Sequence, residues 1–209
     1  TVAEFGLFAT ASAAGVMLSR ILGFGFVSTL YRAATIRPRL IGTFTVGFLV
    51  MSALSLPVLA AAAFGTYRLF FAGEMALAVF ALVIAAEVLL WRPLEVVVIV
   101  NNGLGRFGQA AVLVILGTVL RALAAVSFAV ASERTLGAWC VFYLAANALS
   151  LAIGLIFFYP RQKLRLRMRL YWQRLYDSLA VAGAEVLFYL QMELDKLMVL
   201  ALGGPKLAG

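Results

Sequence analysis

Apolar residues fill six long stretches of this chain, separated by short polar breaks. Crossing the hydrocarbon of a bilayer takes roughly 20 apolar residues in a helix. The stretches run from about Phe5 to Leu30, Leu40 to Phe64, Met75 to Val100, Phe107 to Ala131, Leu136 to Tyr159 and Tyr176 to Leu202. Turn signals fall between them at Arg37-Pro38-Arg39, Phe64-Gly65-Thr66, Asn101-Asn102-Gly103, Ser132-Glu133-Arg134 and Tyr159-Pro160. The pattern predicts an all-α, polytopic membrane bundle of six transmembrane helices. Pro57 and Pro93 fall inside predicted spans and mark kinks. Gly6, Gly15, Gly23 and Gly25, with Ser12 and Ser19, give the first span small faces for close helix packing.

The charged positions orient these spans. Residues 31–39 carry three Lys or Arg, 101–108 one and 160–174 six, ten in all, against three (Arg68, Arg134 and Lys206) in the alternate loops. Basic loops stay in the cytoplasm during insertion, so the first set is cytoplasmic and both ends of the chain lie outside. Within the basic stretch from Arg161 to Arg174, Arg165, Arg167 and Arg169 alternate with Leu164, Leu166, Met168 and Leu170. Alternation of this kind suits a strand or an irregular segment on the lipid surface. Anionic lipid attracts each Lys or Arg by ~1 kcal/mol. A topogenic interfacial loop is therefore the first reading and a dedicated lipid-headgroup site the second.

Composition agrees. The chain is 65% hydrophobic and 12% charged, whereas soluble domains carry about 25% charged residues. The net charge of +8 and pI near 10.2 follow from the orienting loops, and no nucleic-acid partner is expected. There is no His, which removes imidazole catalysis and the commonest metal ligand. Cys140 is the only cysteine and is read as a small core hydrophobe. No metal site or cofactor is expected. Gly103, Gly105 and Gly108 match the dinucleotide spacing G-x-G-x-x-G, but they follow a membrane span rather than a strand, so the segment is read as an interhelical turn. The chain opens at Thr1 and stops just after a long span, and is expected to be a piece of a longer protein.

Charges inside the spans are the candidates for function. They are Arg20, Arg92, Arg121 and Lys196, with Glu87, Glu95, Glu185, Glu193 and Asp195; Asp177 falls at an interface. A charge at the bilayer centre costs about 2.5–3.5 kcal/mol even on insertion scales, so such residues face a bundle interior or a wet cavity. Arg121 lies ~22 Å along its helix from the Arg106 turn. It is expected either to pair with Glu87 or Glu185 or to bind substrate. Arg92 and Glu95, three apart, share a face and should pair, while Glu87 points about 140° away from Arg92 and needs another partner. Arg20 reads as a snorkelling anchor. Glu185 and Lys196 lie only about 20° apart around the last span, with Glu193 near them. That gives one charged face, lining a cavity or a polar seam.

Several segments in this order resemble a known family. Glu4-Phe5-Gly6-Leu7-Phe8-Ala9, Leu30-Tyr31-Arg32, Gly105-Arg106-Phe107-Gly108-Gln109-Ala110 and Asp195-Lys196-Leu197 ahead of Gly203-Gly204 are similar to segments of the polysaccharide transporters. These belong to the multidrug, oligosaccharidyl-lipid and polysaccharide exporter superfamily, which includes O-antigen flippases. The resemblance implies helices two to seven of a larger transporter, with residues 1–175 forming most of an N-terminal lobe without its first helix and residues 176–209 opening the second lobe. It also implies a flippase in the bacterial inner membrane, moving an undecaprenyl-pyrophosphate-linked oligosaccharide between leaflets by alternating access. Arg121, Arg20, Arg92 and Lys196 would then hold the pyrophosphate, and Glu87 and Glu185 would couple a cation. The alternatives are a cation-coupled multidrug exporter of the same superfamily and, in another class, a membrane-embedded glycosyl or phosphatidyl transferase. For the transferase, Glu193-Leu194-Asp195 is the nearest thing to a metal-binding acid cluster.

Overall fold

A computed structural model describes residues 1–130 and 135–204; the Ser132-Glu133-Arg134 turn and Lys206 lie outside the described residues. Eight α-helices follow in order: α1 Val2–Ser19, α2 Phe26–Ile36, α3 Ile41–Thr66, α4 Leu77–Ala85, α5 Arg92–Gly103, α6 Phe107–Val130, α7 Leu136–Ile153 and α8 Met168–Gly203. Among the described residues there is no strand.

Continuous helical stretches long and apolar enough to cross a membrane number five among the described residues: Val2–Ser19, Pro38–Phe71, Leu77–Gly103, Phe107–Val130 and Leu136–Phe158. The expected sixth corresponds to α8, a helix of 36 residues and therefore ~54 Å long. Its apolar length is interrupted by Asp177, Glu185, Glu193, Asp195 and Lys196. The helical class stands, and the chain is compatible with a multi-pass membrane protein.

Helices α1 and α2 occupy the middle of the bundle. α1 packs against α4 and α8, α2 against α3, α5 and α8, and α6 pairs with α7 on the far side. The core is aromatic where α2, α3 and α8 meet: Phe26 lies edge-on to Tyr171 at 5.8 Å and 6.1 Å from Phe44. Before Pro93 the backbone widens into a π-helical segment at Ala86–Trp91. Proline has no N–H to continue the ladder, and such bulges occur where the ladder is interrupted. Pro57, by contrast, lies within the continuous helix α3.

The first predicted span is not one helix. It breaks between α1 and α2 at Leu22–Gly25, where Gly23, Phe24 and Gly25 have φ of 72°, 48° and 71°. Only glycine takes that left-handed conformation without steric cost. Both glycines are also contact surfaces: a Cβ at Gly25 would collide with the Ser178 carbonyl and lie 2.8 Å from the Ala182 nitrogen, and one at Gly23 would meet the Phe48 ring at 3.0 Å. The Gly23 N–H is satisfied by the Ser55 hydroxyl at 3.0 Å. At Gly23 and Gly25 the close packing expected from sequence marks a turn crossed by α3 and α8, whereas Gly15 packs closely on a face of α1.

The basic segment is irregular from Arg161 to Arg167 and helical from Met168. The Tyr171 hydroxyl pins it by accepting from the Arg167 N–H at 3.1 Å and donating towards the carbonyls of Thr43 (2.8 Å) and Arg165 (3.0 Å). The Gly103 to Gly108 segment is a turn between α5 and α6, with Gly105 at φ 73°.

Gly25→Val is expected to lower stability by about 1–3 kcal/mol or more, from backbone strain and overlap together. Gly183→Ala, at a helical site with nothing within 4 Å of the added Cβ, should be neutral or stabilising by about 0.5–1 kcal/mol. Thermal melting of the purified variants in detergent reads both.

Candidate functional site

The charges of the predicted spans form two groups, with Arg121 and Lys196 in separate environments. The larger joins α1, α5 and α8. Arg92, only 1% exposed, donates from Nη1 to Glu95 Oε2 at 2.7 Å and from Nη2 to Glu185 Oε2 at 3.0 Å. Arg20, 5% exposed, donates from Nη1 to both Glu95 oxygens at 3.1 Å. Its guanidinium also lies 4.0 Å from the centre of the Tyr189 ring. The four charges thus alternate as Arg20, Glu95, Arg92, Glu185 and sum to zero.

This arrangement confirms the expected pairing of Arg92 with Glu95 and corrects the reading of Arg20. Arg20 does not snorkel. It ends α1 immediately before the break, where its side chain is enclosed by α5 and α8. The acids are the open side of the group: the Glu95 and Glu185 side chains are 27% and 33% exposed, against 6% and 1% for the arginines. Nε of both Arg20 and Arg92 is buried without a hydrogen-bond partner, so each guanidinium keeps a donor unused.

The second group surrounds Glu87, 2% exposed, on the π-helical segment. Its Oε1 accepts from the Ser12 hydroxyl at 2.6 Å and the Tyr143 hydroxyl at 2.7 Å. The partners expected for Glu87 are therefore hydroxyls on α1 and α7. Gly15 makes this possible, because a Cβ there would lie 2.8 Å from Cβ and Cγ of Glu87. Phe8 and Trp139 stack around Tyr143, with ring centres 5.1 and 5.9 Å away.

Arg121 and Lys196 lie outside the arginine group, and Arg121 borders the second one, hydrogen-bonding the Tyr143 side chain and attracting Glu87 electrostatically. Arg121 lies over the Trp91 ring at 4.4 Å and donates from Nε to the Gly117 carbonyl of its own helix at 3.2 Å. Neither Glu87 nor Glu185 forms an ion pair with it. The cation–π contact supplements these attractions. Lys196 is exposed and paired with Glu193 one turn earlier, while Asp195 accepts from the Lys196 backbone N–H at 2.8 Å. The single charged face expected on the last span is thus divided, since Glu185 turns to Arg92 and Lys196 stays local. Among the described residues, no three His, Cys, Asp or Glu side chains form a group that could hold a metal ion.

Ser12, Tyr143, Tyr189 and Trp91 complete these environments; the sequence marked Ser12 only as a small packing residue and did not single out the other three. Tyr189 could have been found, since it follows Glu185 by one helical turn. The hydroxyl donors to Glu87 had no such signal. No family model, curated protein or solved structure matches the chain.

Removing one partner of a buried charge group strands the others. Arg92→Met should cost about 3–5 kcal/mol, and the double variant Arg92→Met/Glu185→Gln, which leaves Glu95 to pair with Arg20, should recover part of that loss. Denaturation of the three-helix seam, followed by cysteine accessibility at Ser178→Cys, measures both.

Proposed function

We propose that this chain forms part of a membrane transporter that moves an anionic, lipid-linked oligosaccharide across the bacterial inner membrane by alternating access, as a flippase in polysaccharide biosynthesis. In this reading α8 is a sixth transmembrane helix and the cargo is an undecaprenyl-pyrophosphate-linked oligosaccharide. The observation that carries the proposal is the charge group of Arg20, Glu95, Arg92 and Glu185, with its buried arginines and half-open acids. A static membrane scaffold has no need of two guanidinium groups among apolar helices, because hydrophobic replacements are commonly as stable or more so. A transporter does. An incoming pyrophosphate exchanges for Glu185 or Glu95 on the same guanidinium donors, and Arg presents a planar fork suited to phosphate oxygens. Such an exchange releases α8 from α5, which couples cargo binding to movement of one helix against the rest.

Glu87 supports cation coupling, either in this flippase or in the rival drug exporter. It is a buried carboxylate hydrogen-bonded by two hydroxyls, with Arg121 near and no contact to Arg20 or Arg92, so it can exchange a proton or a cation without disturbing the Arg20–Arg92 group. Arg121 and Lys196 carry less of the proposal than Arg20 and Arg92, because they lie outside the group that joins three helices.

Surface polysaccharide in cells expressing the full-length protein tests the reading at matched membrane abundance. Arg92→Lys and Glu185→Gln should each reduce export by roughly tenfold or more, the equivalent of about 1.4 kcal/mol of lost selective interaction. Normal export in both would remove the proposal. Unchanged polysaccharide together with greater sensitivity of Glu87→Gln cells to cationic drugs would favour the multidrug exporter instead.

A further inference from the structure

We propose that the cavity between α2, the start of α3 and the start of α8 is a binding site for one anionic phospholipid of the leaflet at the basic face. Its phosphate is held by Arg32, Arg37 and Arg174, and its first acyl segment lies against Ile36, Phe44 and Leu170. The inference rests on the membrane setting but on no particular cargo, and none of these residues belongs to the charge group of Arg20 and Arg92.

The cavity is about 430 Å³ and takes one face from each of two helices. On α2, Thr29, Arg32 and Ile36 recur at helical spacing, with Arg37 just past the end of the helix, and on α8 Leu170, Arg174, Asp177 and Val181 recur likewise. The Thr29 and Ser178 hydroxyls, 2.9 Å apart, join the two helices beside it. Three arginines against one aspartate leave the walls net positive. The one acid competes poorly: Arg174 Nη1 is 3.8 Å from Asp177 Oδ2, and both side chains are largely exposed. Among the described residues, Arg32 and Arg37 form no ion pair with any acid. Three guanidinium groups lining one cavity with a single, weakly paired carboxylate call for an external anion.

The rest of the lining selects the kind of anion. Ala33, Ile36, Leu40, Phe44, Leu170 and Val181 make the wall largely apolar, which a free phosphate would leave unsatisfied and an acyl chain would cover. The location agrees. Leu170 and Phe44 adjoin Tyr171 and Thr43, the pair that fastens the irregular basic segment to α3, so the cavity opens at the end of the bundle where the chain's positive charge is concentrated. Anionic lipid is enriched at such a face.

Native mass spectrometry of the purified full chain, in detergent doped with phosphatidylglycerol, phosphatidylcholine or inorganic phosphate, tests the site without any transport readout. The wild type should retain one phosphatidylglycerol and no phosphatidylcholine. The variant Arg32→Ala/Arg37→Ala/Arg174→Ala should bind phosphatidylglycerol at least roughly tenfold more weakly. A charge-matched control, Arg68→Ala/Arg106→Ala/Arg161→Ala, should retain it. Ile36→Trp, which fills the cavity but keeps every charge, should also lose the lipid. Equal losses in the two triple variants would overturn the proposal by reducing the effect to net charge. Retention of phosphatidylcholine, or full displacement of phosphatidylglycerol by millimolar phosphate, would overturn it as well. Retention of lipid by a protein that fails every export assay would leave this site standing while the flippase reading falls.

Discussion

The organising constraint is the cost of taking Arg20 and Arg92 out of water. Each guanidinium needs carboxylate partners where hydration is absent, and the effective penalty for leaving a buried ion unpaired is several kcal/mol. Glu95 serves both arginines, and Glu185 completes Arg92. These partners come from helices far apart in the chain, so satisfying the charges fixes α1, α5 and α8 relative to one another. The same pairing makes the seam reversible. Apolar packing alone would hold these helices without offering any exchange partner, whereas an ion pair with a partly exposed acid can be replaced by another anion.

Glu87 meets the same constraint in a different way. Two hydroxyls hydrogen-bond its carboxyl group, with Arg121 contributing only longer-range attraction, and the missing side chain at Gly15 lets α1 approach it. The π-helical segment holds Glu87 and runs to Trp91, just before Arg92 and Pro93, so the two charged residues, five apart in sequence, serve different neighbours: Glu87 faces α1 and α7, and Arg92 faces α8. Widening the helix there separates a hydroxyl-bound acid from the arginine group.

α8 acts as a ruler along the whole arrangement. Arg174 sits at the basic cavity, Ser178 touches the break at Gly25, and Glu185 and Tyr189 meet Arg92 and Arg20. From Arg174 to Tyr189 this covers ~22 Å of one helix. The left-handed turn at Gly23 to Gly25 lets α8 run close to the junction of α1 and α2, since any side chain at Gly25 would meet its backbone. A basic surface site, a backbone break and an interior charge group therefore share one rigid element.

Hydropathy by itself determined that the chain is helical and apolar enough to cross a membrane repeatedly, because spans of about 20 apolar residues leave few alternatives. Local spacing determined the pairing of Arg92 with Glu95, and charge and turn residues determined the irregular segment at 161–167 and the turn at Gly103 to Gly108. Tertiary structure alone decided the rest. Arg20 looked like a snorkelling residue until the break beyond it and the approach of α5 and α8 enclosed it. Arg121 looked central by depth, yet it rests on Trp91 and forms no ion pair with Glu87 or Glu185. Depth along a helix is a one-dimensional quantity that sequence encodes. Which helix stands opposite a charge depends on backbone breaks such as Gly23 to Gly25 and on close approaches such as Gly15 to Glu87, and these exist only once the chain has folded.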